Sequence, residues 1–238
     1  MPLSPEQEWT LAACGLVAHA DGILEAGEWD RVLWMLDERL RKEDATAWIE
    51  LLADRERLSA HLDGLAPPMP FFVEPILEKA WRMALADGEV SEHEQQVHDD
   101  LAEKLGLPAD EVARLRAQWL AQAHKRSELV AGFAAILANL DGQLDDAEAE
   151  ELDALIERLP VAEGRRPALL AMRDEPPALD GIVGQLLAMD GEERSIALMA
   201  LVPLVRASAE GERERELFVE VASQLAISTD AAERMLVR

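Results

Sequence analysis

Three pairs of acidic residues recur at one spacing, and carboxylate oxygens are the ligands that hard divalent cations prefer. In each copy, Asp-Gly is followed by a variable residue, an aliphatic residue, a variable stretch and Glu. The pairs are Asp21 with Glu28, Asp87 with Glu94, and Asp141 with Glu148. This phrase matches the second half of an EF-hand calcium loop. The first half is missing, because Val17, Met83 and Leu137 stand where the loop needs its first oxygen ligand.

The same phrase predicts a tight bend between two helices, because Asp-Gly favours turns and apolar periodicity flanks it on both sides. Gly then ends the first helix in a left-handed conformation. Ser91 with Glu94, and Asp145 with Glu148, have the spacing of a capping box that opens the next helix. Two interpretations therefore stay open: carboxylates that only cap helices, and carboxylates that also bind a cation.

The elements that must position these residues are helices, because apolar residues recur every three or four positions around each bend. One helix is predicted from about Asp44 through Leu58, and others are predicted to start at Phe71 and Leu107. The prolines of residues 66–70 predict a loop. No stretch alternates polar and apolar residues as a strand would. The sequence therefore predicts an all-α fold without strands.

A shift of 120 positions relates the second half of the chain to the first, since Asp141 lies 120 residues after Asp21. We therefore predict two tandem helical units, residues 1–122 and 123–238, each with internal pseudo-symmetry because it holds the bend twice. The fourth phrase, at Glu210-Gly211, has lost its Asp and its aliphatic position. The second unit is thus expected to be a degenerate copy.

The charge balance is strongly acidic, with 48 Asp and Glu against 23 Lys and Arg and a formal net charge of −25. This charge repels nucleic acid and anionic lipid and favours cations or basic protein surfaces. The single cysteine, Cys14, lies on an apolar face and is expected to be buried. Neither a signal peptide nor an apolar stretch of about twenty residues is found, so a cytoplasmic protein that does not insert into membranes is expected.

Other motifs give no sign of catalysis. His93 and His98 stand five residues apart rather than the four of a zinc protease signature, and both are expected to face solvent. Asp190-Gly191 is interpreted as a plain turn, and the charged residues 210–216 as a solvated helix start. Since no catalytic triad, P-loop or dinucleotide phrase is present either, we predict that the protein is not an enzyme.

A family resemblance is carried by the residues around the first two bends. These are Ala18-His19-Ala20-Asp21-Gly22 with Glu28, and Ala84-Leu85-Ala86-Asp87-Gly88 with Glu94 and residues 101–107. The chain resembles the TerB-like tellurite-resistance family on these residues, and less strictly in its second half. The resemblance implies two TerB-like helical units, acidic residues that chelate a metal, and a role in bacterial stress systems close to the membrane.

Two functions fit these observations. The first is an acidic TerB-like module of a tellurite-resistance-type stress response, which binds a divalent cation, calcium or another, through the six carboxylates of the three bends. One Asp-Glu pair offers too few oxygens for the roughly six to eight that calcium takes, so two bends must combine. The first unit holds two intact phrases and is the expected place, with Asp21, Glu28, Asp87 and Glu94 as ligands. The second function is a metal-free helical scaffold that binds a membrane-associated protein partner with a basic surface.

Overall fold

The computed structural model describes residues 3–20, 42–86, 88–140, 146–207 and 212–237. Over these residues it contains twelve α-helices, a short 3-10 helix at Ala171–Arg173 and no strand, which confirms the predicted all-α class. The α-helices are α1 (Pro5–Ala18), α2 (Lys42–Leu52), α3 (Arg55–Gly64), α4 (Pro70–Ala84), α5 (Glu92–Lys104), α6 (Ala109–Ala138), α7 (Asp146–Arg158), α8 (Arg166–Leu170), α9 (Leu179–Leu187), α10 (Gly191–Ala207), α11 (Glu212–Gln224) and α12 (Thr229–Val237). None of the described helices is long and apolar enough to cross a membrane.

The chain divides into two compact units, Met1–Ala121 and Gln122–Arg238, and the boundary falls inside α6. The sequence predicted only where this helix starts, near Leu107. It continues to Ala138 because residues 110–131 contain neither Gly nor Pro, so nothing in the sequence ends it at the boundary.

The predicted helix from Asp44 through Leu58 is two helices, so that prediction was wrong. α2 ends at Leu52, and α3 begins at Arg55. The side chain of Asp54 accepts a hydrogen bond from the backbone N–H of Arg57 at 3.1 Å and so caps α3. Asp54 favours the start of a new helix, because its side chain binds a backbone N–H in the first turn of α3. This capping competes with a continuation of α2, and α2 therefore ends at Leu52.

In the first unit, α1 is the central element, because every residue from Trp9 to Ala18 is buried. α1 packs against α3, α4 and α5. A helix that is apolar on all sides has to be surrounded by other helices to remove its surface from water. Cys14 lies within this stretch and is buried, as predicted. Ser4 and Gln7 form a complete capping box at the start of α1.

The proline-rich segment between α3 and α4 is a loop, as predicted. The buried indole of Trp9 donates a hydrogen bond from Nε1 to the carbonyl oxygen of Ala66, with a distance of 2.7 Å. This bond satisfies the only polar atom of a buried Trp side chain and ties the loop to α1. The loop therefore enters α4 from a fixed position.

The second unit has its own core, built from large side chains of α6, α7, α10 and α11. Phe133, Leu152, Ile156 and Phe218 are all fully buried in it. α10 packs against α7, α11 and α12. Since this core lies within residues 122–238, the second unit buries its own apolar surface.

The ends of α5 and α11 have the same local structure. After α5, the N–H of Gly106 binds the carbonyl of Glu103 and the N–H of Leu107 binds the carbonyl of Ala102, both at 3.0 Å. The equivalent bonds after α11, 120 positions later, are made by Ala226 and Ile227 at 3.1 and 2.9 Å. Both are Schellman motifs, which require a left-handed residue at the end of the helix. Gly106 has φ of 80°, and Ala226 has φ of 62°.

The difference between Gly106 and Ala226 gives a reciprocal prediction. A left-handed conformation costs a residue with a Cβ about 1 to 2 kcal/mol, so Ala226→Gly is expected to stabilise the protein by about 1 kcal/mol. Gly106→Ala is expected to destabilise it by a similar amount. Urea denaturation followed by circular dichroism measures both changes. A loss of stability in Ala226→Gly would contradict the assignment.

Candidate functional site at the helix bends

The second bend connects α4 and α5. α4 closes with hydrogen bonds from the N–H of Leu85 to the carbonyl of Trp81 and from the N–H of Ala86 to the carbonyl of Met83. Gly88 follows with φ of 98°. This positive φ is the conformation that the bend interpretation predicts, and it favours Gly because Gly has no Cβ.

The start of α5 is held by the predicted capping box. The N–H of Ser91 donates to Oε2 of Glu94 at 2.7 Å, and the N–H of Glu94 donates to the Ser91 hydroxyl at 3.1 Å. Glu94 is buried, with 9% of its surface exposed. The backbone N–H groups of the first turn and the positive end of the helix stabilise its negative charge. Capping therefore uses one oxygen of this candidate ligand.

The other predicted ligands divide into two groups. Asp21, Glu28, Asp87 and Asp141 lie outside the described residues. Glu148 is described, is 7% exposed and is the third residue of α7, the position that Glu94 has in α5. Glu94 and Glu148 belong to different units, and within the described ranges no three acidic, His or Cys side chains form a group that could hold a metal ion.

Two further buried carboxylates were missed in the sequence. Glu214, 120 positions after Glu94, is the third residue of α11 and is 6% exposed, so reading residues 210–216 as a solvated helix start was wrong for this residue. The shift of 120 positions, applied to Glu94, was the sequence signal that could have indicated a matching role for Glu214. Its Oε2 is buried and has no hydrogen-bond partner among the described residues.

Glu193 is the second buried carboxylate that was missed. It is the third residue of α10, and its N–H donates to the side chain of Asp190 at 2.8 Å. Its carboxylate pairs with the guanidinium of Arg126 in a largely buried salt bridge. Asp190-Gly191 is therefore a helix start with a cap rather than a plain turn. Because Arg126 lies far away in the sequence, no local pattern indicated the pair.

His98 corrects another prediction. His93 is exposed as expected, but His98 is fully buried, because it shares the inward face of α5 with Glu94 and Leu101. Its Nε2 binds the carbonyl oxygen of Leu77 at 2.9 Å, and its Nδ1 accepts from Nη2 of Arg116 at 2.6 Å. A ring that donates at Nε2 and accepts at Nδ1 is neutral.

Burial is the main reason why the pKa of His98 is lowered to about 4, and the hydrogen bond to the Leu77 carbonyl opposes this in part. The positive charge of Arg116 lowers this pKa further. Arg116 is itself held in place, because it stacks on the Trp81 ring at 4.5 Å and pairs with Asp99 at 2.9 Å. The cluster therefore joins α4, α5 and α6 through the hydrogen bonds of His98 and Arg116, and we interpret it as a structural element. The Nε1 of Trp81 is buried and has no hydrogen-bond partner among the described residues.

The described residues of the first unit are thus helical, with a left-handed Gly88 between α4 and α5 and a buried carboxylate, Glu94, in the first turn of α5. Residues 7–117 match a family model described as tellurite resistance protein TerB. This match supports the family resemblance for the first unit. No curated protein and no solved structure matches the chain. A TerB-like identity of the second unit stays a prediction.

The left-handed conformation of Gly88 predicts a cost for any side chain there. Gly88→Ala is expected to lower the free energy of unfolding by about 1 kcal/mol or more, through backbone strain. Gly64→Ala is the control, because Gly64 ends α3 outside the left-handed region and a Cβ there would meet no atom within 4 Å. Chemical denaturation compares the two variants, and an equal effect of both would contradict the bend.

The buried neutral His98 predicts a loss of stability in mild acid. The unfolded chain binds a proton near pH 6.5 and the folded chain only near pH 4, so protonation favours unfolding between these values. The contribution of His98 is complete above pH 6.5 and declines by up to about 3 kcal/mol as the pH falls to 4. Unfolding free energies of the wild type and of His98→Phe, measured across this range, should show a shallower pH dependence in the variant.

Proposed function

We propose that this protein is a TerB-like module of a tellurite-resistance-type system that binds a divalent cation through the carboxylates of its bends. The observation that carries the proposal is the burial of those carboxylates. Glu94, Glu148 and Glu214 are each no more than 9% exposed. Burying a carboxylate costs free energy, and a cation bound beside it would offset that cost.

Capping alone does not require a charged residue at this position. In α1, Gln7 accepts from the N–H of Ser4 at 2.8 Å, which is the same bond that Glu94 makes at 2.7 Å in α5. A neutral amide therefore makes the same capping hydrogen bond. In our proposal, the negative charge at the bends serves to bind a cation.

The proposed ligands in the first unit are Asp21, Glu28, Asp87 and Glu94. The second unit offers Asp141 and Glu148, and Glu214 adds a buried carboxylate whose Oε2 has no hydrogen-bond partner among the described residues. Hard cations such as calcium accept these oxygens readily. A metal-free scaffold that binds a basic partner is the second candidate, and the net charge of −25 favours it.

Titration of the chelator-treated protein tests the proposal. Calcium, magnesium, manganese and zinc are added at up to millimolar concentrations while melting temperature and tryptophan fluorescence are recorded. Trp29 follows Glu28 directly in the sequence, so binding at the first bend is expected to change the emission. If none of these ions changes either signal, the carboxylates are caps and the scaffold function is supported instead.

Glu94→Gln separates the ligand role from the capping role. Gln preserves the hydrogen bonds of the capping box but removes the charge, so the melting temperature without cation is expected to change little. The cation response is expected to fall at least about tenfold in affinity, because a carboxylate ligand is lost. Gln7→Glu is the matched control, which places a carboxylate in a capping box outside the bends and should leave the response unaltered.

A further inference from the structure

The start of α4 exposes a group of large apolar side chains. Met69 is 52% exposed and Phe71 is 66% exposed, and both belong to the few large hydrophobic side chains that are exposed in the described residues. Phe72 lies beside Phe71, with ring centroids 4.2 Å apart. Met and aromatic residues are enriched at the centres of protein interfaces. We name Met69, Phe71, Glu74 and Pro75 the α4 surface.

The α4 surface is a rigid platform. Pro70 and Pro75 lie within α4, where they restrict the backbone, and the preceding loop is held by the bond between Trp9 and Ala66. The opposite side of α4, including Ile76 and Leu77, is buried in the first unit. A partner therefore does not have to order a mobile segment when it binds, which lowers the entropic cost of binding.

The charge of the α4 surface indicates which class of partner this surface binds. Glu74 is exposed one turn after Phe71, on the same side of the helix, and it forms no ion pair within the described parts of the chain. Glu78 follows on this side and is paired with Arg82 at 2.6 Å. The face thus joins apolar side chains to an unpaired negative charge. A second copy of this chain, with a net charge of −25, and an anionic bilayer would both be repelled.

We infer that the α4 surface is a docking site for a basic amphipathic helix of a partner protein. Apolar side chains of that helix cover Met69 and Phe71, and a flanking Lys or Arg pairs with Glu74. This mode of recognition uses an apolar face for affinity and complementary charge for orientation. The inference deepens the scaffold function and is independent of cation binding, because the α4 surface lies outside the bends.

Fluorescence anisotropy with a labelled peptide tests the inference. The probe is a peptide of leucine and lysine, about 18 residues long, which as a helix has one apolar and one basic face. A scrambled peptide of the same composition keeps the charge but loses the apolar face. At about 0.15 M salt the full-length protein should bind the amphipathic peptide at least about tenfold more tightly than the scrambled one.

Matched variants locate the binding. Met69→Ser combined with Phe71→Ser should weaken binding at least about tenfold. Leu187→Ser, at an exposed apolar residue of the second unit, should change it less than about twofold. Glu74→Gln should weaken binding more than Glu103→Gln, an equal charge change on the exposed side of α5.

Three results would overturn the inference. Equal binding of both peptides would show attraction to the general acidic charge. Unchanged binding by the double variant would place the contact elsewhere. Binding to phosphatidylcholine vesicles that the double variant abolishes and the peptide does not compete would identify the surface as a lipid contact. A cation response that persists in the double variant keeps this test separate from the cation proposal.

Discussion

The fold depends on placing negative charge in its interior at the beginnings of helices. Within the described ranges, Glu94, Glu148, Glu193 and Glu214 are buried, and each is the third residue of its helix. At this position the unpaired N–H groups of the first turn and the helix dipole stabilise a carboxylate. In this acidic chain with a net charge of −25, the buried Glu side chains of the described residues therefore all lie where a helix starts. The candidate ligands Glu94 and Glu148 share this position at the start of their helices.

The hydrogen-bonded pair of His98 and Arg116 in the first unit has no polar counterpart in the sequence of the second unit. His98 and Arg116, which bind each other in the first unit, correspond at a shift of 120 positions to Phe218 and Leu236, both buried and apolar. Apolar residues of similar volume serve stability as well as a satisfied polar network does. The network also fixes the orientation of the His98 ring, because Nε2 has to donate to the Leu77 carbonyl while Nδ1 accepts from Arg116.

Acidity and exposed apolar surface have separate roles in the functions that we propose. Buried carboxylates at the bends concentrate negative charge where a cation can share it, and exposed carboxylates such as Glu74 repel polyanions and further copies of the chain. In our inference, the apolar side chains of the α4 surface select among the remaining basic partners. The functions that we propose place the ion site and the protein contact on different parts of the first unit.

The sequence by itself determined what depends on residues a few positions apart. The all-α class, the proline loop, the Ser91–Glu94 cap and the left-handed Gly88 all follow from local backbone preferences and short-range hydrogen bonds. Only the tertiary structure decided the burial of His98, since its partner Leu77 lies 21 residues away on another helix. The same holds for Glu193, whose charge is balanced by Arg126 across 67 residues. Burial and long-range pairing depend on how helices pack, and the apolar spacing of one helix does not specify which polar side chains its neighbours will enclose.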